Sequence, residues 1–179
     1  MRKFMLGFIT ALLLMPISAF AVIRLGLVDP RADIPVNAIE RRVAMPSLDA
    51  AVERRAPSLP GALDESDSGL IAGMAVYQEH CALCHGDVAH PRAALAEALY
   101  PRAPQFVRDA PDMPAHENLY IVEHGVRLTG MPAWGRILSQ RELRQVTAFL
   151  ARLDSLPTPV AERWKFQARE PADTSRRAR

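Results

Sequence analysis

Hydrophobic and polar positions divide the chain into stretches of different periodicity. Arg2 and Lys3 precede twenty uncharged residues, Phe4 to Ile23, before Arg24. Such a run is long enough to cross a bilayer as a helix, and the leading positive charges keep its start on the cytoplasmic side. Residues 29–67 are rich in proline, glycine and charge. There Val36, Ile39 and Val43, then Leu48 and Val52, keep helical spacing, but Pro46 is expected to break the run. A spacer with one or two short helices follows from this, lying on a membrane, on the rest of the protein, or in solvent.

Residues 68–156 predict four helices. The first runs from about Gly69 to the cysteines, with Ser66 or Ser68 as its cap. A short Ala-rich one starts at Pro91 and ends near Leu99. The third runs from about Ala115 to His124, where Gly125 suits the C′ position. The last begins at Ser139, with Glu142 closing a capping box. Leu143, Val146, Phe149, Leu150 and Leu153 give that helix one apolar face. No stretch alternates with period two, so the fold class is all-α. In residues 157–179 periodicity fades. Trp164 and Phe166 are candidates to pin a short segment to the domain, and disorder is expected from Pro171 onward.

Charge adds little. The two ends are each net +3, whereas residues 29–68 are net −3 and residues 69–156 net −1. The dispersed arginines, with no basic helix interleaved with aromatics, give no support to nucleic-acid binding.

The candidate chemistry begins at Cys81-Ala82-Leu83-Cys84-His85. A disulfide, a redox Cys-x-x-Cys, half a zinc site and a haem attachment site all use such a pair. The redox motif expects a preceding strand and a βαβ pattern, and neither is present. A structural zinc needs two further ligands, and His80, His90, His116 and His124 include no tight second pair. Cys-x-x-C-His as c-type haem attachment remains the leading reading: two thioethers to the porphyrin vinyl groups, and His85 on the iron.

Together, Gly73, Tyr77, Cys81, Cys84 and His85 match the pattern G-x-x-x-[FY]-x-x-x-C-x-x-C-H, and the stretch from about Gly69 to Leu156 resembles the class I c-type cytochromes. The closest likeness is to small bacterial monohaem cytochromes that begin with a membrane segment. The resemblance implies a cytochrome c fold, about four short helices round one covalent haem c, preceded by the hydrophobic helix. It implies that Gly73 permits a close crossing of the first and last helices, with Tyr77 packed into the crossing. It also implies that Leu128-Thr129-Gly130-Met131-Pro132-Ala133-Trp134-Gly135 supplies the second axial ligand, Met131. A neutral thioether favours ferrous iron and fills the sixth position. The bland alternative is a methionine filling a core gap. His124 is a rival ligand and His116 a weaker one.

In the loop formed by Tyr100, Pro101, Arg102, Ala103, Pro104 and Phe106, the resemblance implies a carbonyl that accepts from the axial histidine. The sequence does not single out which. Tyr100, Arg102, Pro104 and Trp134 are thus further candidates for cofactor contact, Arg102 and Trp134 toward the propionates. The expected function is one-electron transfer between redox proteins, with membrane respiratory complexes or dehydrogenases as donor and acceptor. No nucleic acid and no small-molecule substrate is expected, and no catalytic apparatus is recognised. The alternatives are an accessory haem subunit of a larger dehydrogenase or oxidase, and a haem-based sensor or peroxidase-like enzyme with a labile Met131. Export to the periplasmic side of a bacterial inner membrane is expected. The segment 1–28 stays as an anchor or, given Ala19-Phe20-Ala21, is cleaved as a signal peptide.

Overall fold

The computed structural model describes residues 1–167, so the expected disorder from Pro171 lies outside the described residues. The chain divides into two compact units, Met1–Arg31 and Ala32–Arg179. The first unit contains helix α1, Arg2–Arg24, which is long and apolar enough to cross a membrane. It buries no residue within the chain. Its two hydroxyls are satisfied by the helix itself, Thr10 donating to the Leu6 carbonyl at 2.8 Å and Ser18 to the Met15 carbonyl at 2.9 Å. Polar groups so paired fit an apolar environment.

In the second unit all the described elements are helical. Helix α2, Ala38–Arg55, is capped by Asn37, whose side chain accepts from the Glu40 N–H. Contrary to the expected break, α2 runs uninterrupted through Pro46. Proline removes one intrahelical bond and crowds the carbonyl four residues back. Residues 41–47 are all exposed, so water can take the bond that the Arg42 carbonyl loses. Val52 is buried, Leu48 half-buried, and α2 packs against a later helix, Ala115–His124. The spacer helix is therefore part of the domain's packing.

Helix α3, Asp67–His80, begins at Ser66, which accepts from the Gly69 N–H at 3.1 Å. A single turn, α4, Ala82–His85, follows Cys81 and stops at Gly86, whose φ of +78° suits a residue without a Cβ. The expected Ala-rich helix from Pro91 shrinks to a 3-10 segment, Ala94–Ala98. In the stretch before it the Asp87 N–H donates to the His90 carbonyl and the Ala93 N–H to Gln105 Oε1. Helix α5, Ala115–His124, ends at Gly125 with φ +67°. A 3-10 turn, Trp134–Arg136, leads to α6, Gln140–Ala151, with both halves of the Ser139/Glu142 capping box formed.

Helix α7, Thr158–Gln167, packs against α3. Packing thus continues beyond residue 156: Val160 and Trp164 are buried, whereas Phe166 is exposed. The centre is the crossing of α3 and α6. Tyr77, Phe149 and Trp164 meet there with ring centroids 5.3–5.7 Å apart, in tilted and edge-on arrangements. Leu70, Met74, Leu143 and Val146 complete a core without solvent exposure. Each such side chain contributes about 1.5–3 kcal/mol on burial. The backbones approach closely enough that a Cβ on Gly73 would lie 2.0 Å from the Gln145 carbonyl oxygen.

Candidate haem site

The C-terminal end of α3 and the turn α4 set Cys81, Cys84 and His85 on successive positions of one tight backbone. Cys81 closes α3, its N–H donating to the Tyr77 carbonyl at 2.8 Å, and its own carbonyl receives the N–H groups of Cys84 and His85. Both cysteines are free thiols; Cys81 is buried and Cys84 half-buried. Burial pushes the Cys81 thiol up to about 12, with the neighbouring Cys84 adding to it, and raises Cys84 as well. A redox dithiol needs the opposite, a thiolate stabilised near neutral pH. The two cysteines form no disulfide and lie one helical turn apart.

His85 is fixed from two sides. Its Nδ1 lies 2.9 Å from the Pro104 carbonyl oxygen. A carbonyl only accepts, so Nδ1 carries the proton and Nε2 holds the lone pair. The imidazole also stacks on Phe106, with centroids 4.3 Å apart and planes 2° from parallel. Burial lowers its pKa and so favours the neutral ring, opposed in part by the bond to Pro104. Nε2 has no hydrogen-bond partner among the described residues.

Pro104 is thus the carbonyl that the sequence left open, and its neighbours hold it in place. The Phe106 N–H donates to the His85 carbonyl at 3.1 Å. Gln105 Nε2 donates to the carbonyls of Cys84 and Ala103, both at 2.9 Å, while its Oε1 accepts from the Ala93 N–H at 2.7 Å. Gln105 was not among the sequence candidates, and an amide in a Pro-rich loop carries no signal of its own. Tyr77, from the helix before, donates from its hydroxyl to the Gly86 carbonyl at 2.7 Å.

The Tyr100 hydroxyl donates to Glu40 of α2, and this bond holds its phenol above the usual range. Arg102 pairs with Glu97 at 3.0 Å rather than standing free. Trp134 is half-buried with its ring centroid 5.3 Å from that of His80. Met131 is half-buried against the core. Its N–H donates to Thr129 Oγ1 at 3.0 Å and its carbonyl accepts from the Val126 N–H at 3.2 Å. His124 is exposed, lies against Tyr120, and with His116 lines a small cavity under Pro57–Pro60.

A paired thiol set beside an imidazole with one nitrogen fixed and the other open suits a covalently held porphyrin iron, and among the described residues no three His, Cys, Asp or Glu side chains gather round a metal ion without it. The all-helical fold and this arrangement define a c-type cytochrome domain. Residues 70–150 match the family described as cytochrome C oxidase, cbb3-type, subunit III. No curated protein and no solved structure matches the chain. A c-type cytochrome domain implies covalent haem c and a part in electron transfer.

Proposed function

We propose that this protein is a one-electron carrier holding a single haem c through thioethers to Cys81 and Cys84, with His85 and Met131 as axial ligands of the iron. The observation that supports it best is the Pro104 carbonyl on His85 Nδ1, which leaves Nε2 as the donor atom beside two unpaired thiols. When bound, haem c supplies a one-electron ferric/ferrous couple. The chain's residues do the rest. Pro104 fixes the imidazole's tautomer and raises its basicity. Phe106 stops the ring rotating. The Val126–Met131 turn holds the thioether-bearing segment in one conformation, and a thioether favours the ferrous state.

The apolar helix α1 serves in this reading as a membrane anchor that keeps the domain near membrane partners on the periplasmic side; cleavage as a signal sequence is the alternative. The family match favours a second reading, a subunit within a respiratory oxidase complex. Co-purification at fixed stoichiometry from solubilised membranes separates that from a free carrier.

Optical spectra of the purified ferric and ferrous protein test the ligation. A methionine–iron charge-transfer band in the ferric form, and no reaction of the ferrous form with carbon monoxide, are expected. A high-spin or carbon-monoxide-reactive haem removes Met131 from the iron and makes sensing or catalysis the better reading.

A further inference from the structure

The Pro104 carbonyl that fixes His85 is not held by its own residue. The Pro104 side chain is exposed and a proline carries no N–H, so residue 104 offers neither burial nor a backbone bond as an anchor. A carbonyl so placed can exchange the imidazole for water at little cost. What holds it has to come from its neighbours.

Gln105 is placed to do this. Its Nε2 donates at 2.9 Å to the Cys84 carbonyl and at 2.9 Å to the Ala103 carbonyl. These oxygens belong to the peptide units that lead into His85 and into Pro104. One amide therefore spans the two residues whose bond orients the imidazole. Beside it the Phe106 N–H donates to the His85 carbonyl at 3.1 Å. The amide's remaining bond, from the Ala93 N–H to Oε1 at 2.7 Å, keeps it from turning over. Reversed, its oxygen would face two carbonyls and its nitrogen an N–H. The hydrogen-bonding groups of Gln105 are thus engaged at both ends of the amide, and the side chain is half-buried.

We infer that Gln105 is a positioning residue for the axial histidine. By bridging the Cys84–His85 and Ala103–Pro104 peptides it keeps the Pro104 carbonyl on His85 Nδ1, and through that bond it sets the basicity of Nε2. An imidazole whose Nδ1–H donates strongly is the better electron donor at Nε2, and it favours ferric iron. Loss of the bridge weakens that donation and raises the reduction potential. This rests on the reading that His85 binds the iron.

The test uses the full, haem-loaded chain. Gln105→Met keeps the length of the side chain and removes its hydrogen bonds. The variant is expected to have a higher reduction potential by spectroelectrochemical titration. Solvent exchange of the His85 Nδ1 proton, read by NMR of the ferrous protein, is expected to be about tenfold faster. Val160→Ala opens a cavity in the core at α7 instead, and is expected to lower thermal stability while leaving both readouts at wild-type values. A Gln105→Met protein that loses stability but keeps the wild-type potential and exchange overturns the positioning role. Wild type alone gives a second measure: the Gln105 Nε2 protons and the His85 Nδ1 proton are expected to share one protection against exchange, because one opening frees both. Unrelated protection overturns the bridge. The hyperfine-shifted imidazole protons of the ferric wild type are expected to come from His85. Their assignment to another histidine overturns the ligation reading instead, so the two failures are distinguishable.

Discussion

The Tyr77 hydroxyl reaches nine residues along the chain to donate to the Gly86 carbonyl at 2.7 Å, with the phenol fully buried between α3, α6 and α7. The bond ties the haem-attachment turn to the aromatic core formed with Phe149 and Trp164. Tyr77→Phe keeps the ring and leaves a buried carbonyl unpaired. A loss of about 1–3 kcal/mol follows, measured by denaturant unfolding of the haem-loaded protein. An unchanged midpoint would mean that water satisfies the carbonyl.

Gly73 presents a steric limit rather than a lost bond. A Cβ there would lie 2.0 Å from the Gln145 carbonyl oxygen and 2.9 Å from the Phe149 Cβ. Both obstacles are on the α6 backbone or next to it, so no rotamer relieves them. Gly73→Ala is expected to cost about 3 kcal/mol or more, the upper end for overpacking, because α3 and α6 must move apart. Thermal unfolding of the variant at wild-type stability would show that the crossing is looser than this contact requires.

These two positions show where sequence and structure meet. Helix starts are legible because capping is local: Ser66, Ser139 and Glu142 each act within three residues. The Gly73, Tyr77, Cys81, Cys84 and His85 spacing is legible for the same reason, since one helix and the turn that follows it carry it. The Pro104 carbonyl and Gln105 are not, because their partners lie 19 and 21 residues away and only the folded loop brings them together. Pro46 misleads because its cost depends on exposure, which a pattern of residues does not state. Trp164 is legible as an anchor, but the length of α7 around it is decided by packing on α3.

The Tyr100 side chain separates a structural role from a cofactor role. Its hydroxyl joins Glu40 of α2, sixty residues earlier, to the loop that ends in Pro104. Tyr100→Phe is therefore expected to speed amide exchange across α2 while leaving the haem's optical spectrum unchanged. Hydrogen exchange read by mass spectrometry distinguishes the cases. A shifted spectrum with unchanged exchange in α2 would assign Tyr100 a contact with the cofactor.

Acid sensitivity is expected at the start of α6. The Ser139 hydroxyl and N–H both donate to Glu142 Oε2, at 2.7 and 2.8 Å. The hydroxyl bond first, then the backbone bond, hold the carboxyl below its ordinary 4.5. A carboxyl lowered on folding contributes stability that is present above its unfolded value and is lost as pH falls through its folded value. Glu142→Gln keeps the shape of the capping box and removes the charge. The variant should be less stable than wild type at neutral pH, and the two unfolding curves should converge as the pH falls below the folded carboxyl's lowered value. Urea unfolding at a series of pH values measures this. A gap that persists undiminished into strong acid would mean that the lost stability comes from geometry at the cap, and the ionised carboxylate would contribute none of it.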